Sequence, residues 1–180
     1  EADAYYTLGV TLWQQGNFDE STEELQQAIR ARPGYAEAYY TLGSVLKQQG
    51  KLPDAAAALR EAIKIDPDFA GAHTNLAAVL RQMNDLEGAA AESRTAAELM
   101  KRQTNRQAAT LAMGSAERLL NAGDFEGAIS QFRVAVAASP DNPRAHFGLG
   151  LALKRSGDLA SAAQEFAAAR KLDPAFSPPE

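Results

Sequence analysis

The chain has no cysteine. Disulfides, thiolate metal sites and thiol nucleophiles are therefore outside its chemistry. No apolar run approaches the roughly 20 residues a membrane-spanning helix needs. No signal-peptide pattern is visible, and there is no phosphate-cradling glycine loop, nucleophile elbow or metal-ligand spacing. The net charge is −5 with both signs scattered, whereas nucleic-acid binding asks for a concentrated basic face. There is also no initiator Met. The chain starts at Glu1, already inside a pattern, and so reads as a processed protein or a piece of a longer one. The compartment is left open. The rest is ordinary: 180 residues, 46% apolar and 23% charged, the size and composition of a soluble globular domain.

What is abundant is repetition. AYYTLGVTLWQQG, Ala4 to Gly16, returns 34 residues later as AYYTLGSVLKQQG, Ala38 to Gly50. Only Val10, Thr11 and Trp13 change, to Ser44, Val45 and Lys47. With Ala2 as position 1, units of 34 residues span 2–35, 36–69 and 70–103, then 109–142 and 143–176 after a five-residue break in register. Position 15 reads Gly16, Gly50, Asn84, Gly123, Gly157, the residue types that tolerate a left-handed backbone at a helix end. Position 32 reads Pro33, Pro67, Lys101, Pro140, Pro174, and proline stops a helix. Two helices of about thirteen residues fit between these signals. Position 8 (Gly9, Gly43, Ala77, Ala116, Gly150) stays small, as do positions 20 and 27, so helix axes can approach closely. Leucines at positions 7 and 11 and large residues at position 24 fill the space beside them. Asn17, with Glu20 three residues on, reads as a capping box opening the second helix of the first unit. Helices this short are marginal alone, and stacked copies bury one another's apolar stripe.

The residues Tyr5, Leu8, Gly9, Leu12, Ser21, Leu25, Ala28 and Pro33, and their counterparts Tyr39 to Pro67, resemble the tetratricopeptide repeat signature. The resemblance covers residues 2–176 as one domain, with 177–180 a tail. It implies an all-α fold, an alpha-alpha superhelix of antiparallel helix pairs whose first helices line a groove. It also implies a non-catalytic protein-interaction scaffold. In the third unit Lys101 replaces the stop proline and Ser93 the large residue at position 24. With no Gly or Pro from Ala89 to Met113, its second helix is expected to overrun to about Gln103. An irregular link over 104–108 then leads into the fourth unit. A continuous helix is the alternative, and would force the last two units out of regular stacking.

Positions 2, 5, 9 and 12, with 6 and 13, form the face that lines the groove in the family. There, Tyr6, Trp13, Tyr40 and Phe147 offer flat contact area. Thr41, Gln48, Asn75 and Gln82 offer hydrogen bonds to an extended backbone, and Lys47 and Arg81 attract carboxylates. The competing reading is that positions 5 and 12 mostly pack on the neighbouring first helix. The carboxylate clamp of chaperone-binding members is absent, because its places hold Tyr6, Val10, Thr41, Gly71 and Asn75. The stretch Asp66 to Leu80 resembles the repeats of O-GlcNAc transferases, but only Asn75 fills their asparagine ladder.

His73 and His146 both fall at position 4, a packed place, two units apart, and read as core residues rather than ligands. Lys101, Arg102 and Arg106 form a small basic cluster at the junction, by default a solvated link. Arg170 replaces the apolar residue of position 28, which suits a terminal unit, and SPPE after it cannot form a capping helix. The first unit has no such adaptation, so its leading face is expected to be exposed or covered by another copy. No cofactor, metal or catalytic residue is expected. The partner is a protein or peptide segment held in the groove. The alternatives are a recognition arm of a larger enzyme, such as a glycosyltransferase, and a self-assembly module.

Overall fold

A computed structural model describes residues 1–176. The expectations for the 177–180 tail lie outside the described residues. Among those described there are nine helices and no strand: α1 (Ala2–Gln14), α2 (Phe18–Ala31), α3 (Ala36–Gln48), α4 (Leu52–Ile65), α5 (Ala70–Gln82), α6 (Leu86–Asn121), α7 (Phe125–Ala138), α8 (Pro143–Ser156) and α9 (Leu159–Leu172). The fold is all-α, of the alpha-alpha superhelix class built from antiparallel helix pairs. Two compact units divide it, Glu1–Met100 and Lys101–Glu180.

The helix boundaries follow from local chemistry. First helices end at position 15 with φ of +83° at Gly16 and +64° at Asn84, the one non-glycine residue with positive φ among those described. Second helices end ahead of proline. Arg32, Asp66, Ser139 and Asp173 all have extended or near-extended backbone, because the proline ring crowds a helical residue before it. Caps distinguish the units. Asp124 and Asp158 accept from the N–H groups of Gly127 and Ser161, and Asp85 accepts from Gly88 N–H at 2.9 Å. Asn17 is the N-cap of α2, but its side chain makes no capping hydrogen bond, which corrects the capping-box expectation. Its backbone angles nearly match those of Asp124. An amide can cap in this fold: Asn142 accepts from the Arg144 N–H at 3.0 Å at the start of α8.

In the first unit α1 packs on α2, α3 on α4, α2 on α3 and α4 on α5, and the first helices α1, α3 and α5 touch in sequence. Leu25, Leu59, Leu76, Val45 and Val79 are its fully buried centre. Each hairpin closes where position 8 meets position 24. A Cβ added to Gly43 would lie 2.6 Å from Leu59 Cγ and 3.2 Å from the Ala55 carbonyl oxygen, and one added to Gly9 would lie 2.8 Å from Leu25 Cγ. The third unit has the smaller Ser93 at position 24, and there position 8 widens to Ala77. The leading face of α1 is uncovered: Leu8 is 46% exposed, against 8% for Leu42 and 1% for Leu76 at the same position.

In the second unit α7 packs on α8 and α8 on α9. Its core joins Ala116 and Leu120 of α6 to Phe132, Leu149, Leu153 and Phe166. Phe132 lies against Gly148 of the next hairpin, where a Cβ would overlap the ring. Leu149, at the position of Leu8, is 3% exposed.

The 104–108 junction is not an irregular link. One helix of 36 residues, α6, runs through it and through the boundary between the two units. The sequence between Gly88 and Gly114 has no helix breaker and is rich in Ala, Glu, Gln, Lys and Arg. Those residues lose little freedom in a helix. No residue from Met100 to Ala108 is buried, so no packing requirement interrupts the hydrogen-bond ladder.

Two tests follow. The amides of 101–108 should exchange as slowly as those of a mid-helix segment; exchange at the rate of the 139–142 turn would restore the irregular link. Gly43→Ala should destabilise the fold by about 1–3 kcal/mol through overpacking. Gly114→Ala meets open space in a helix interior and should stabilise it by about 0.5–1 kcal/mol, both read from urea unfolding.

Candidate functional site

The helical period puts positions 2, 5, 9 and 12 of α1, α3 and α5 on one wall of the first unit. Trp13 of α1 is half-buried and its Nε1–H donates to Gln48 Oε1 of α3 at 2.8 Å. Lys47 of α3 donates to Asn75 Oδ1 of α5 at 3.4 Å, and Asn75 Nδ2 donates to Ser44 Oγ at 2.9 Å. These bonds cross from one first helix to the next. Trp13 with Gln48, and Lys47 with Asn75 and Ser44, thus form two separate polar links between neighbouring first helices. Arg81 and Gln82, in the last turn of α5, are exposed.

Thr41 departs from expectation. It is 2% exposed, and its hydroxyl donates to the Glu37 carbonyl at 2.8 Å. A threonine hydroxyl in a helix readily bonds back to the preceding turn. Buried and so engaged, Thr41 packs within the wall and presents nothing to a ligand backbone.

The position-5 aromatics are braced from within their own units. Tyr6 lies 5.0 Å from Tyr35 and Tyr40 lies 4.8 Å from Phe69, centroid to centroid, in tilted geometry. In the fifth repeat, residues 143–176, Phe147 lies 5.6 Å from Phe176 and 5.5 Å from Phe166. The partners Tyr35, Phe69 and Phe176 share position 34. The signal was present in the sequence: position 34 is aromatic in the three units whose position 5 is aromatic. Where position 5 is Met113, position 34 is Asn142, whose Nδ2 approaches the sulfur at 3.5 Å. All three position-5 rings stay half-buried, so each keeps an accessible face on a fixed support.

One end of the wall is charged. Arg32 Nη2 donates to Asp3 Oδ2 at 2.7 Å, and the guanidinium sits 4.4 Å above the Tyr35 ring. Hydrogen bonds from Arg32 and Tyr35 hold the Asp3 carboxyl below its ordinary range. Burial first, then the bond to Asp3, pushes the Tyr35 phenol up.

His73 and His146 are packed, as expected. His73 Nδ1 lies 2.6 Å from Glu92 Oε2, and Nε2 lies 3.0 Å from the Pro67 carbonyl oxygen. His146 repeats this with Glu165 at 2.6 Å and Pro140 at 2.9 Å. Each ring ties a stop-proline turn to the following hairpin. The glutamates, nineteen residues on in both cases, were not anticipated, although their equal spacing marks them. Arg102 and Arg106 line a cavity of about 310 Å³ with Asn105 and residues 138–141. Among the described residues, no three His, Cys, Asp or Glu side chains are placed to hold a metal ion. No helix among them is long and apolar enough to cross a membrane.

The Asp3 environment gives a pH test. An aspartate whose folded pKa is depressed stabilises fully above its unfolded value of about 3.9, and that contribution fades as pH falls through the lowered folded value. The urea midpoint of the parent should therefore exceed that of Asp3→Asn at pH 6, and the two should converge at strongly acidic pH. A constant difference across the acid range would exclude the Asp3–Arg32 bond as its source.

A comparison with curated protein sequences returns no match. Among solved structures, MamA (residues 41 to the end) from Desulfovibrio magneticus RS-1 is similar at 20% identity with a TM-score of 0.53, over 97% of this chain and 96% of that one. YrrB, a TPR protein with an unusual peptide-binding site, is similar at 19% identity with a TM-score of 0.53, over 97% and 87%. The second TPR of Spaghetti (RPAP3), bound to the HSP90 peptide SRMEEVD, is similar at 17% identity with a TM-score of 0.54, over 55% of this chain and 92% of that one. At these identities the likeness shows the fold. The model of the tetratricopeptide repeat family matches residues 6–68, 40–102 and 113–175. With those matches added to the helix pairs and position-8 contacts described above, the chain belongs to the tetratricopeptide repeat family.

Proposed function

We propose that this chain is a non-catalytic scaffold that holds an extended peptide or protein segment along the wall formed by α1, α3 and α5. The observation that carries this reading is the pair of cross-helix links, Trp13 with Gln48 and Lys47 with Asn75 and Ser44. Side chains fixed by one another lose little further freedom when a ligand arrives, which favours binding. Asn75 retains a second amide hydrogen for a backbone carbonyl. Tyr40, backed by Phe69, supplies rigid aromatic area, and exposed Arg81 supplies a charge for a carboxylate. Peptide binding in YrrB and in the RPAP3 repeat supports the general mode. It does not carry the RPAP3 ligand across: Tyr6, Val10, Thr41, Gly71 and Asn75 stand where the family's carboxylate clamp would be. Phe147 belongs to the second unit and is a separate candidate contact there.

The test uses a peptide selected against the whole chain by display. Tyr40→Ala with Arg81→Ala should weaken its binding at least ten-fold, while far-UV circular dichroism keeps the parent helicity. Equal affinity in parent and double variant would remove the wall as the site.

A further inference from the structure

The repeats serve as controls for one another, and one comparison exposes a second site. In the third and fifth units a glutamate at position 23 reaches the ring at position 4, in the pairs Glu92–His73 and Glu165–His146. In the second repeat, residues 36–69, these places hold Ala58 and Tyr39. No side chain closes the furrow between α2 and α4 there. A cavity of about 500 Å³ results, lined by Tyr39, Leu42, Leu46 and Ala58, with Asp54 and Glu61 along one wall.

Its chemistry is specific. The floor is apolar: Leu42 and Leu46 are buried yet retain 8% and 7% exposure. Tyr39 is half-buried and offers a ring. Asp54 and Glu61 stand two helical turns apart on the same face of α4. Across the furrow, α2 contributes Thr22 and Gln26, and Lys51 is the one cation of the lining. Among the described residues Glu61 pairs with Lys64 at 3.1 Å, a partly exposed surface pair of the kind that contributes little.

We infer that this furrow takes an arginine side chain from a partner segment, its aliphatic stem on Leu42, Leu46 and Ala58 and its guanidinium at the Asp54–Glu61 wall. Two carboxylates, Asp54 and Glu61, face one ammonium, Lys51, in the lining, an excess of negative charge that favours a cation. The flat, weakly hydrated guanidinium stacks on a tyrosine ring and pairs with carboxylates in a way an ammonium does not. The site faces the second helices and is independent of the α1–α3–α5 wall.

The test is a ¹⁵N heteronuclear titration of the whole chain with acetyl-Gly-Arg-Gly-amide and, separately, with acetyl-Gly-norleucine-Gly-amide. The arginine peptide should shift the amides of Gln26, Tyr39 and Ala58 with saturation, and the norleucine peptide should not at equal concentration. Ala58→Leu should fill the furrow and abolish the shifts. Asp54→Asn with Glu61→Gln, a change of charge on exposed positions, should weaken binding at least ten-fold and serves if the filled variant unfolds. Equal response to norleucine, no loss in the charge variant, or shifts confined to the first-helix wall would each overturn the inference.

Discussion

The structure depends on one contact, repeated: the backbone of a first helix pressed against a large side chain of the second. Gly9 on Leu25, Gly43 on Leu59 and Gly150 on Phe166 are the same contact in three units. It brings two helix axes close enough to bury the stripe that neither helix can bury alone. In α1 and α3 it also fixes the azimuth of the first helix, because only one face carries a glycine. Once that face turns inward, positions 2, 5, 9 and 12 have no choice about where they point. The wall on α1, α3 and α5 is a by-product of packing.

That division explains what the sequence disclosed. Position 15 and position 32 announce helix ends through backbone chemistry that does not depend on neighbours, and Gly16, Asn84 and the residues before Pro33, Pro67, Pro140 and Pro174 behave accordingly. The junction failed for an instructive reason. A break in repeat register is not a break in backbone here, because the segment from Ala89 to Met113 has nothing that ends a helix. Register is a property of packing, and an exposed stretch such as 100–108 can stay helical without it.

The wall was legible as a face but not as a network. Spacing alone puts Trp13, Lys47, Gln48 and Asn75 on the same side. That Trp13 would choose Gln48, and Asn75 would choose Ser44, depends on the offset between adjacent first helices, which no single repeat encodes. Thr41 shows the same limit: helical position gave its face correctly, but burial between neighbours removed it from that face. Tyr35 and Phe69 lie outside the helices, where helical periodicity carries no signal. The glutamates at position 23 show what internal repetition adds. Glu92 and Glu165 explain the histidines, and Ala58 in the same place explains a furrow that no pattern within one unit would suggest.

The account stands on the wall of first helices being the working surface. Its most direct test is a crystal structure of the whole chain with a display-selected peptide. The account predicts an extended segment lying across α1, α3 and α5, in contact with Tyr40, Asn75 and Arg81. A peptide bound only elsewhere on the chain, with that wall bare, would contradict it.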